Sequence, residues 1–231
     1  QRRNYPLALK RDHYQNSGKG FTPYALSIRC CRPDQSSVSL SLHALNNGDC
    51  SIRFSMRKQQ YFLPVVTVMR ALVDTTDREI YERIVQQDVD NTFITDRVES
   101  MLRESHKEGI YSREQCLAFI GSRFRTALDN VPDRWTDVQI GEHLLKKYVL
   151  VHLTNNQDKF NLLVFMIRKL YALVSGDYAE DNPDAPNTQE LLLPGHLMLM
   201  ALKEKLQEWL LNIKAVIAKD LRQGKSVNIH D

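Results

Sequence analysis

The stretch SVSLSLHALNNGDCSIRFS, residues 37–55, constrains the fold more than any other part of the chain. Apolar residues alternate with serine, histidine and arginine on both sides of Asn47-Gly48, a pair that supplies the positive φ of a tight turn. This period of two predicts an antiparallel hairpin with one apolar and one polar face. Because one face is polar, we expect the sheet to be covered on one side only. The apolar positions of the first strand are Val38, Leu40, Leu42 and Ala44.

Further alternation extends this β region on both sides of the hairpin. It occurs at residues 5–9 and 24–30, and a short strand, QQYFL, ends at Pro64. From Pro64 onward the apolar residues recur at the spacing of helical turns. The sequence therefore predicts an α+β fold in one domain of 231 residues, a length sufficient to bury a sizeable core. A small antiparallel β part, residues 1–63, packs with a larger, mainly helical part, residues 64–231.

Local signals mark where the helices begin and which of them are buried. Thr76, Ser112 and Thr136 are each followed three residues later by Glu or Gln, the pattern of a capping box. The segment DKFNLLVFMIRKLYALVSG is apolar almost all round, which predicts a buried helix. The last helix, from Pro194 to about Leu221, carries a narrow seam that predicts packing on another helix. The seam comprises Leu202, Leu206, Trp209, Ile213 and Val216.

The four cysteines argue against a disulfide framework or a zinc site, because no two of them have C-x-x-C spacing. They indicate a reduced intracellular protein with small buried thiols. No apolar run reaches the roughly 18 residues that a membrane helix requires. The chain opens with Gln1-Arg2-Arg3, without an initiator methionine, and we expect it to be cut from a longer protein.

The sequence carries only weak signs of a catalytic motif. Gly224-Lys225-Ser226 resembles the end of a phosphate-binding loop, but the preceding glycine of that motif is Lys219 here and the triplet follows a helix. Seven histidines are scattered singly, which favours surface or satisfied core positions over ligands. We predict no catalytic, cofactor-binding or metal-binding residue in this chain.

The acidic stretch SGDYAEDNPDAPNTQELLLPG, residues 175–195, is the strongest remaining candidate for chemistry. Counted from Asp177, an EF-hand loop would fail at its positions 3, 6 and 12, where Ala179, Asn182 and Thr188 stand. A carboxylate pair with a raised pKa would need an apolar pocket, and this stretch is rich in proline and asparagine. We interpret it as a solvent-exposed connector or contact surface.

Several segments together resemble a known family. LPVVTVMRALVDTTDREIYERI, residues 63–84, is similar to part of the lobe of the second-largest subunit of multisubunit RNA polymerases. YPLALKR near the start resembles the strand by which the chain enters that lobe, and residues 158–210 resemble its closing half. The resemblance runs from about Asn4 to Leu221 in the same order.

The sequence of the acidic stretch indicates which of these polymerases the chain resembles. Where RNA polymerase II and bacterial lobes carry a D-x-D-H-x-G-x-[KR]-R motif, residues 181–186 read DNPDAP. This sequence is similar to the lobe of the second-largest subunit of RNA polymerase I, especially its fungal members. The same similarity extends to SGKGFTPYALSIRCCRPDQSS and RFSMRKQQYFLP.

The resemblance implies a non-catalytic fragment of an enzyme that makes ribosomal RNA precursor from DNA in the nucleolus. The magnesium and structural zinc of such a polymerase would lie outside the lobe, so no cofactor is expected here. The lobe would form a wall of the DNA cleft. It would also dock peripheral subunits, namely a small zinc-ribbon subunit and a heterodimer resembling the initiation factor TFIIF. Because the lobe is inserted into a neighbouring domain, Gln1 and Asp231 are expected to lie close together.

The charge distribution points to candidate contact residues. Residues 1–70 contain 11 lysines and arginines against 3 aspartates and glutamates, whereas the remainder is net acidic. Contact with DNA, contact with a partner or another part of the polymerase, and simple solvation all remain open for this basic region. A stand-alone helical adaptor unrelated to transcription is the alternative to the lobe. The candidate contact residues are Arg29, Arg32, Arg53, Arg57 and Lys58.

Overall fold

The α+β prediction is confirmed in a computed structural model that describes residues 3–18, 20–86, 90–128, 132 and 134–223. The predicted phosphate-loop-like triplet at residues 224–226 and the expected proximity of Gln1 and Asp231 lie outside these residues. The chain divides into two compact units, residues 1–189 and 190–231. The prediction of one domain over the whole length stays a prediction.

Five antiparallel strands form one sheet in the order of the sequence. The predicted hairpin is β3 and β4, and Gly48 in its turn has a φ of 90°. Alternation fixes the register, so that Leu42 pairs with Leu26 on one side and with Ile52 on the other, all on the inner face. The strands are β1 (Leu7–Lys10), β2 (Phe21–Cys31), β3 (Ser37–Leu45), β4 (Cys50–Met56) and β5 (Gln59–Pro64).

The helices follow the sheet along the chain and lie where the sequence predicts them. All three predicted capping boxes are formed, at Thr76, Ser112 and Thr136. Gly176, with a φ of 93°, is the left-handed residue that ends α6. The helices are α1 (Val65–Leu72), α2 (Asp77–Val85), α3 (Thr92–Lys107), α4 (Arg113–Phe124), α5 (Asp137–Tyr148), α6 (Asn156–Ser175) and α7 (Pro194–Arg222).

The core lies between the inner face of the sheet and the helices. Helix α6 contacts β1, β2 and β3, while α1 contacts β4 and β5. Phe54 on β4 stacks against Tyr61 and Phe124, and the Tyr171 hydroxyl donates to the Gly48 carbonyl at 3.0 Å. Helix α6 buries 9 of its 20 residues, so its predicted burial is confirmed for one face and not all round, and Phe165 is 54% exposed.

The outer face of the sheet is more covered than its polar alternation predicts. A short 3-10 helix, Asp12–Ser17, lies over β2, and Tyr14 packs with Leu7, Leu9 and Ala25 in a second apolar cluster. The prediction that the sheet is covered on one side only is therefore wrong for the end of the outer face nearest β1. The reason is that this cluster draws its apolar residues from β1, β2 and their connection rather than from β3 and β4.

Two glycines let α4 and α5 approach more closely than side chains allow. A Cβ atom at Gly121 would lie 1.8 Å from the carbonyl oxygen of Asp137, and one at Gly141 would lie 2.3 Å from that of Leu117. Neither neighbour is a flexible side chain that could move aside, because both are backbone atoms. The two helices therefore pack backbone to backbone, a contact that helical periodicity does not reveal.

The motif that carries the family resemblance contains a buried cation. Arg70 at the end of α1 is 3% exposed, forms an ion pair with Asp77 and donates to the carbonyl of Ile110 at 2.8 Å. The Nε2 atom of His106 lies 2.7 Å from the second oxygen of Asp77. Arg70 thereby joins α1 to the start of α2 and to the loop after α3, so this part of the motif is architectural.

A second buried cation closes the C-terminal end of α5. Lys159 is 2% exposed and donates to the carbonyls of Leu145 at 2.9 Å and Val149 at 2.7 Å. Burial lowers the pKa of its ammonium group to about 8. The last carbonyls of a helix have no partner within the helix, and here a side chain from α6 supplies one.

The second unit consists mainly of α7, which is 29 residues long. None of its residues is buried, and Leu202, Leu206, Trp209 and Val216 of the predicted seam are about half exposed or more. No helix among the described residues is both long and apolar enough to cross a membrane.

Substituting Gly141→Ala is expected to lower the free energy of unfolding by about 3 kcal/mol, because overpacking forces the α4 and α5 backbones apart. Urea denaturation followed by circular dichroism measures the change. Gly195→Ala is the matched control, since no atom lies within 4 Å of the added methyl group. Equal stabilities of the two variants would contradict the close approach.

Substituting Arg70→Met is expected to cost about 2 kcal/mol, because it leaves the Ile110 carbonyl without its donor and removes one of the two partners of Asp77, the other being His106. The same denaturation experiment applies. Arg103→Met is the control, because Arg103 is 78% exposed and its 3.9 Å contact with Glu99 is a surface pair, worth less than about 1 kcal/mol. A loss in Arg70→Met as small as that of the control would refute the bracing role.

Candidate partner interface at the basic end of the sheet

The candidate contact residues gather at one end of the sheet. The turns that join β2 to β3 and β4 to β5 lie at the same end, because successive strands are antiparallel neighbours. Arg32 lies in the first turn, and Arg57 and Lys58 form the second. Arg29 and Arg53 lie on the outer face below these turns. The structure thus brings all five residues together at this end.

Arg29 and Arg53 project from the polar face, as the alternation predicts. Arg29 is exposed and pairs across the sheet with Ser39, and its Nε donates to Ser37 Oγ at 3.3 Å. Arg53 is half-buried and pairs with Ser41 on β3 and with Phe62 on β5. Both guanidinium groups therefore lie on a surface lined mainly by serine.

Arg32 differs from the other four candidates because it is tied to the protein. Its Nη1 donates to Ser36 Oγ at 3.1 Å, and its Nη2 donates to the carbonyl of Lys147 at 2.5 Å. The second bond holds the β2–β3 turn against the end of α5. Arg32 therefore has a structural role, and its prediction as a contact residue for a partner is weakened.

The turn between β4 and β5 is strained. Met56 pairs with Gln59 around a two-residue loop in which Arg57 has a φ of 53° and Lys58 a φ of 66°. Two positive φ values define the turn type that normally takes Asn-Gly, and side chains with a Cβ atom cost roughly 1 kcal/mol each there. The chain thus places two cations at an exposed position where Asn-Gly would cause less backbone strain.

His43 lies buried on the outer face, where the polar alternation predicts an exposed or satisfied side chain. It is 0% exposed, and neither ring nitrogen has a hydrogen-bond partner among the described residues. Tyr14, Phe21 and Phe62 surround it, with ring centroids at 5.0, 5.6 and 6.4 Å. Burial, followed by the nearby charge of Arg53, lowers the pKa of His43 to about 4.

The acidic stretch reaches the β1 edge of this sheet. The Asp181 N–H donates to the Ala8 carbonyl at 2.8 Å, and the Asp181 carboxylate accepts from the Ala8 N–H at 2.8 Å. Lys169 Nζ donates to the other free carbonyl of this edge, Pro6, at 2.9 Å. The outward-facing backbone groups of Pro6 and Ala8 are thereby occupied.

The carboxylate of Asp181 forms an ion pair and is largely shielded from solvent. Its carboxylate lies 2.9 Å from Lys169 Nζ and accepts from the Tyr178 hydroxyl at 2.9 Å. Burial would raise the pKa of Asp181, but the bonds from Ala8, Lys169 and Tyr178 together hold it below its ordinary value. The predicted exposure of the stretch is correct for Asp184 and wrong for Asp181, whose side chain is 15% exposed.

The opposite edge of the sheet, β5, is open. In a two-residue hairpin the pairs at alternate positions exchange hydrogen bonds, so the N–H and C=O groups of Gln60 and Phe62 face away from β4. No hydrogen bond to these four groups is formed by the part of the chain that the structure describes. Gln59 and Gln60 are exposed, and Tyr61 and Phe62 are half-buried.

Comparison with known proteins assigns the fold to a family. The chain matches the family described as RNA polymerase Rpb2, domain 2, over residues 2–192. The chain belongs to this family. The match ends just before α7 begins at Pro194, so the sheet, the basic end and the acidic stretch up to residue 192 all belong to the domain.

Proteins that match this chain along nearly its whole length are polymerase subunits. The chain is 50% identical over 96% of its length to a probable DNA-directed RNA polymerase I subunit RPA2 of Schizosaccharomyces pombe, covering 19% of that protein. It is 47% identical over 96% of its length to the RNA polymerase I subunit rpa2 of Dictyostelium discoideum, covering 20%. It is 40% identical over 94% to the human subunit RPA2, covering 19%. The chain thus spans about a fifth of the length of the curated relatives it matches.

Several contacts of this domain could not be predicted from the sequence. The β1 edge and Asp181 are separated by 173 residues, and no local signal links them. The burial of His43 was equally hidden, because it depends on the connection between β1 and β2. The Arg57-Lys58 turn did carry a signal, since two residues between two alternating segments predict a tight hairpin.

The stability of the protein is expected to fall by about 3 kcal/mol as the pH is lowered from 6.5 to 4 on account of His43. In this window the unfolded imidazole binds a proton while the folded one does not, so the unfolded state gains stability as the pH falls. Denaturation of wild type and His43→Leu at several pH values isolates the effect. Phe62→Leu is the control, because it alters the packing of the same site but retains the imidazole, so a slope of the same sign should remain. Identical slopes in His43→Leu and wild type would contradict it.

Proposed function

We propose that this chain is the lobe of the second-largest subunit of an RNA polymerase I. The observation that carries the proposal is identity of 40–50% along nearly the whole chain to the corresponding subunits of fungi, an amoeba and mammals. The family assignment says which part of the subunit is concerned. The stand-alone adaptor unrelated to transcription gains no support from these relatives.

The proposed role of the lobe is mechanical. The parent polymerase would synthesise ribosomal RNA precursor from a DNA template in the nucleus, at the nucleolus, with its magnesium and zinc held elsewhere. Within the described residues, the buried cations Arg70 and Lys159 and the half-buried Lys169 are all engaged by carbonyl or carboxylate oxygens of the protein itself. They brace helix ends and a sheet edge. A rigid scaffold of this kind suits a wall of the DNA cleft.

The second part of the proposed role is docking. Expected partners are the other polymerase subunits, in particular a small zinc-ribbon subunit and a heterodimer resembling TFIIF. The exposed residues Arg29, Arg57 and Lys58, with the half-buried Arg53, favour an acidic surface on the partner. DNA near the cleft is the alternative ligand for the same charges.

Purification of the tagged, full-length subunit from its own cells tests this assignment. We expect the largest subunit of RNA polymerase I to co-purify in equal amounts, together with the small zinc-ribbon subunit and the heterodimer. Mass spectrometry identifies and quantifies the chains. Purification of the subunit alone, or with the largest subunit of a different polymerase, would overturn the proposed function.

A further inference from the structure

We propose that β5 is a docking edge, to which an extended acidic segment of another polymerase subunit adds as a further strand. The proposal rests on the assignment to a polymerase lobe and deepens its docking role. It names the edge, the backbone groups and the chemistry of the occupant, none of which follows from the family assignment.

Among the described residues, the two edges of the sheet differ, because the middle of the β1 edge is occupied and the β5 edge is open. At β1, the carbonyl of Pro6 and both backbone groups of Ala8 are bonded to Lys169 and Asp181. A strand could add there only by breaking the ion pair between those two side chains. At β5, by contrast, Gln60 and Phe62 present a donor and an acceptor each, at the alternate spacing that an incoming strand requires.

Strand β5 is flanked at both ends by residues that discourage strand pairing, and it has none of them between its ends. Edge strands are commonly blunted by lysine and proline. Here Lys58 precedes the strand and Pro64 ends it, while the intervening residues Gln59–Leu63 carry no charge. The unprotected stretch is short, so it accepts only a short segment.

The charges beside this edge indicate the chemistry of the occupant. The hairpin from Cys50 to Pro64 contains Arg53, Arg57 and Lys58 and no acidic residue. A strand that carries Asp or Glu beside these cations would be favoured over a basic or neutral one. Nucleic acid could satisfy the charges, but a phosphate backbone presents no matching series of donors and acceptors to Gln60 and Phe62. The edge therefore selects a polypeptide.

The strained turn supports the same reading. Arg57 and Lys58 occupy left-handed positions that Asn-Gly would occupy with less strain. Their backbone places both side chains at the tip of the hairpin, where the incoming strand would begin or end. Replacing them with Asn-Gly should remove the charge while retaining the hairpin. This double substitution therefore tests the contribution of the charge separately from the fold.

The test uses the full-length subunit in the purified polymerase. A photo-crosslinking amino acid replaces Gln60, whose side chain lies on the outer face opposite Ser55, and in a parallel sample it replaces the exposed Tyr111. We expect Gln60 to crosslink to one extended segment of another subunit with Asp or Glu at alternate positions, and Tyr111 not to crosslink to it. Crosslinking of Gln60 to DNA, or to no polypeptide, would overturn the proposal.

Three variants separate the backbone contribution from the charge. Gln60→Pro removes the outward N–H and is expected to weaken retention of the crosslinked subunit about tenfold in a salt wash, the equivalent of one backbone hydrogen bond. Gln60→Ala keeps the N–H and should retain it. The double variant Arg57→Asn with Lys58→Gly should weaken retention most at low salt, where charges are least screened, without lowering the thermal stability of the polymerase.

The outcomes distinguish this inference from the proposed function. If the subunit does not assemble with the largest subunit of RNA polymerase I, the proposed function fails. If it assembles normally and both Gln60→Pro and the double variant retain every peripheral subunit, strand addition at β5 is refuted while the lobe assignment stands.

Discussion

Burial of the inner face of the five-stranded sheet beneath α1 and α6 is the constraint on which the rest of the structure depends. Sheet and helices are apolar where they meet, and neither could remain in water with that surface exposed. Once this face is committed to the core, partners can reach the sheet only at its outer face and its two edges. The connection between β1 and β2 covers part of the outer face, and Asp181 occupies one edge. The surface left over is small and basic.

Three cations with little exposure brace the elements of this domain. Arg70 links α1 to α2, Lys159 closes the end of α5, and Lys169 secures Asp181 against β1. Each cation has its donors directed at carbonyl or carboxylate oxygens, which is what makes burial of a charge tolerable. This arrangement also explains why the segments that carry the family resemblance include charged residues. Arg70 and Asp77 lie in one of them, and Lys169 and Asp181 lie in another.

The acidic stretch that looked like a candidate metal or catalytic site has a different physical role. Asp181 supplies both a donor and an acceptor to the exposed edge of β1, and so acts as a one-residue substitute for a neighbouring strand. Edges left open invite pairing with other chains. Within the described residues, this domain occupies Pro6 and Ala8 of one edge with its own side chains and leaves the other edge open beside three cations, which favours pairing at β5.

The sequence by itself determined the elements and their order, because their signals are local. Alternation marked β3 and β4, capping boxes marked the starts of α2, α4 and α5, and apolar continuity marked α6. The family resemblance also rested on short sequence motifs that occur in the family's order along the chain. The tertiary structure alone decided which surfaces remain available. Asp181 meets Ala8 across 173 residues, Gly141 meets the backbone of a different helix, and His43 is covered by a connection that carries no period. Such contacts depend on how distant segments pack, and a pattern that repeats over a few neighbouring residues holds no information about a partner that lies far along the chain.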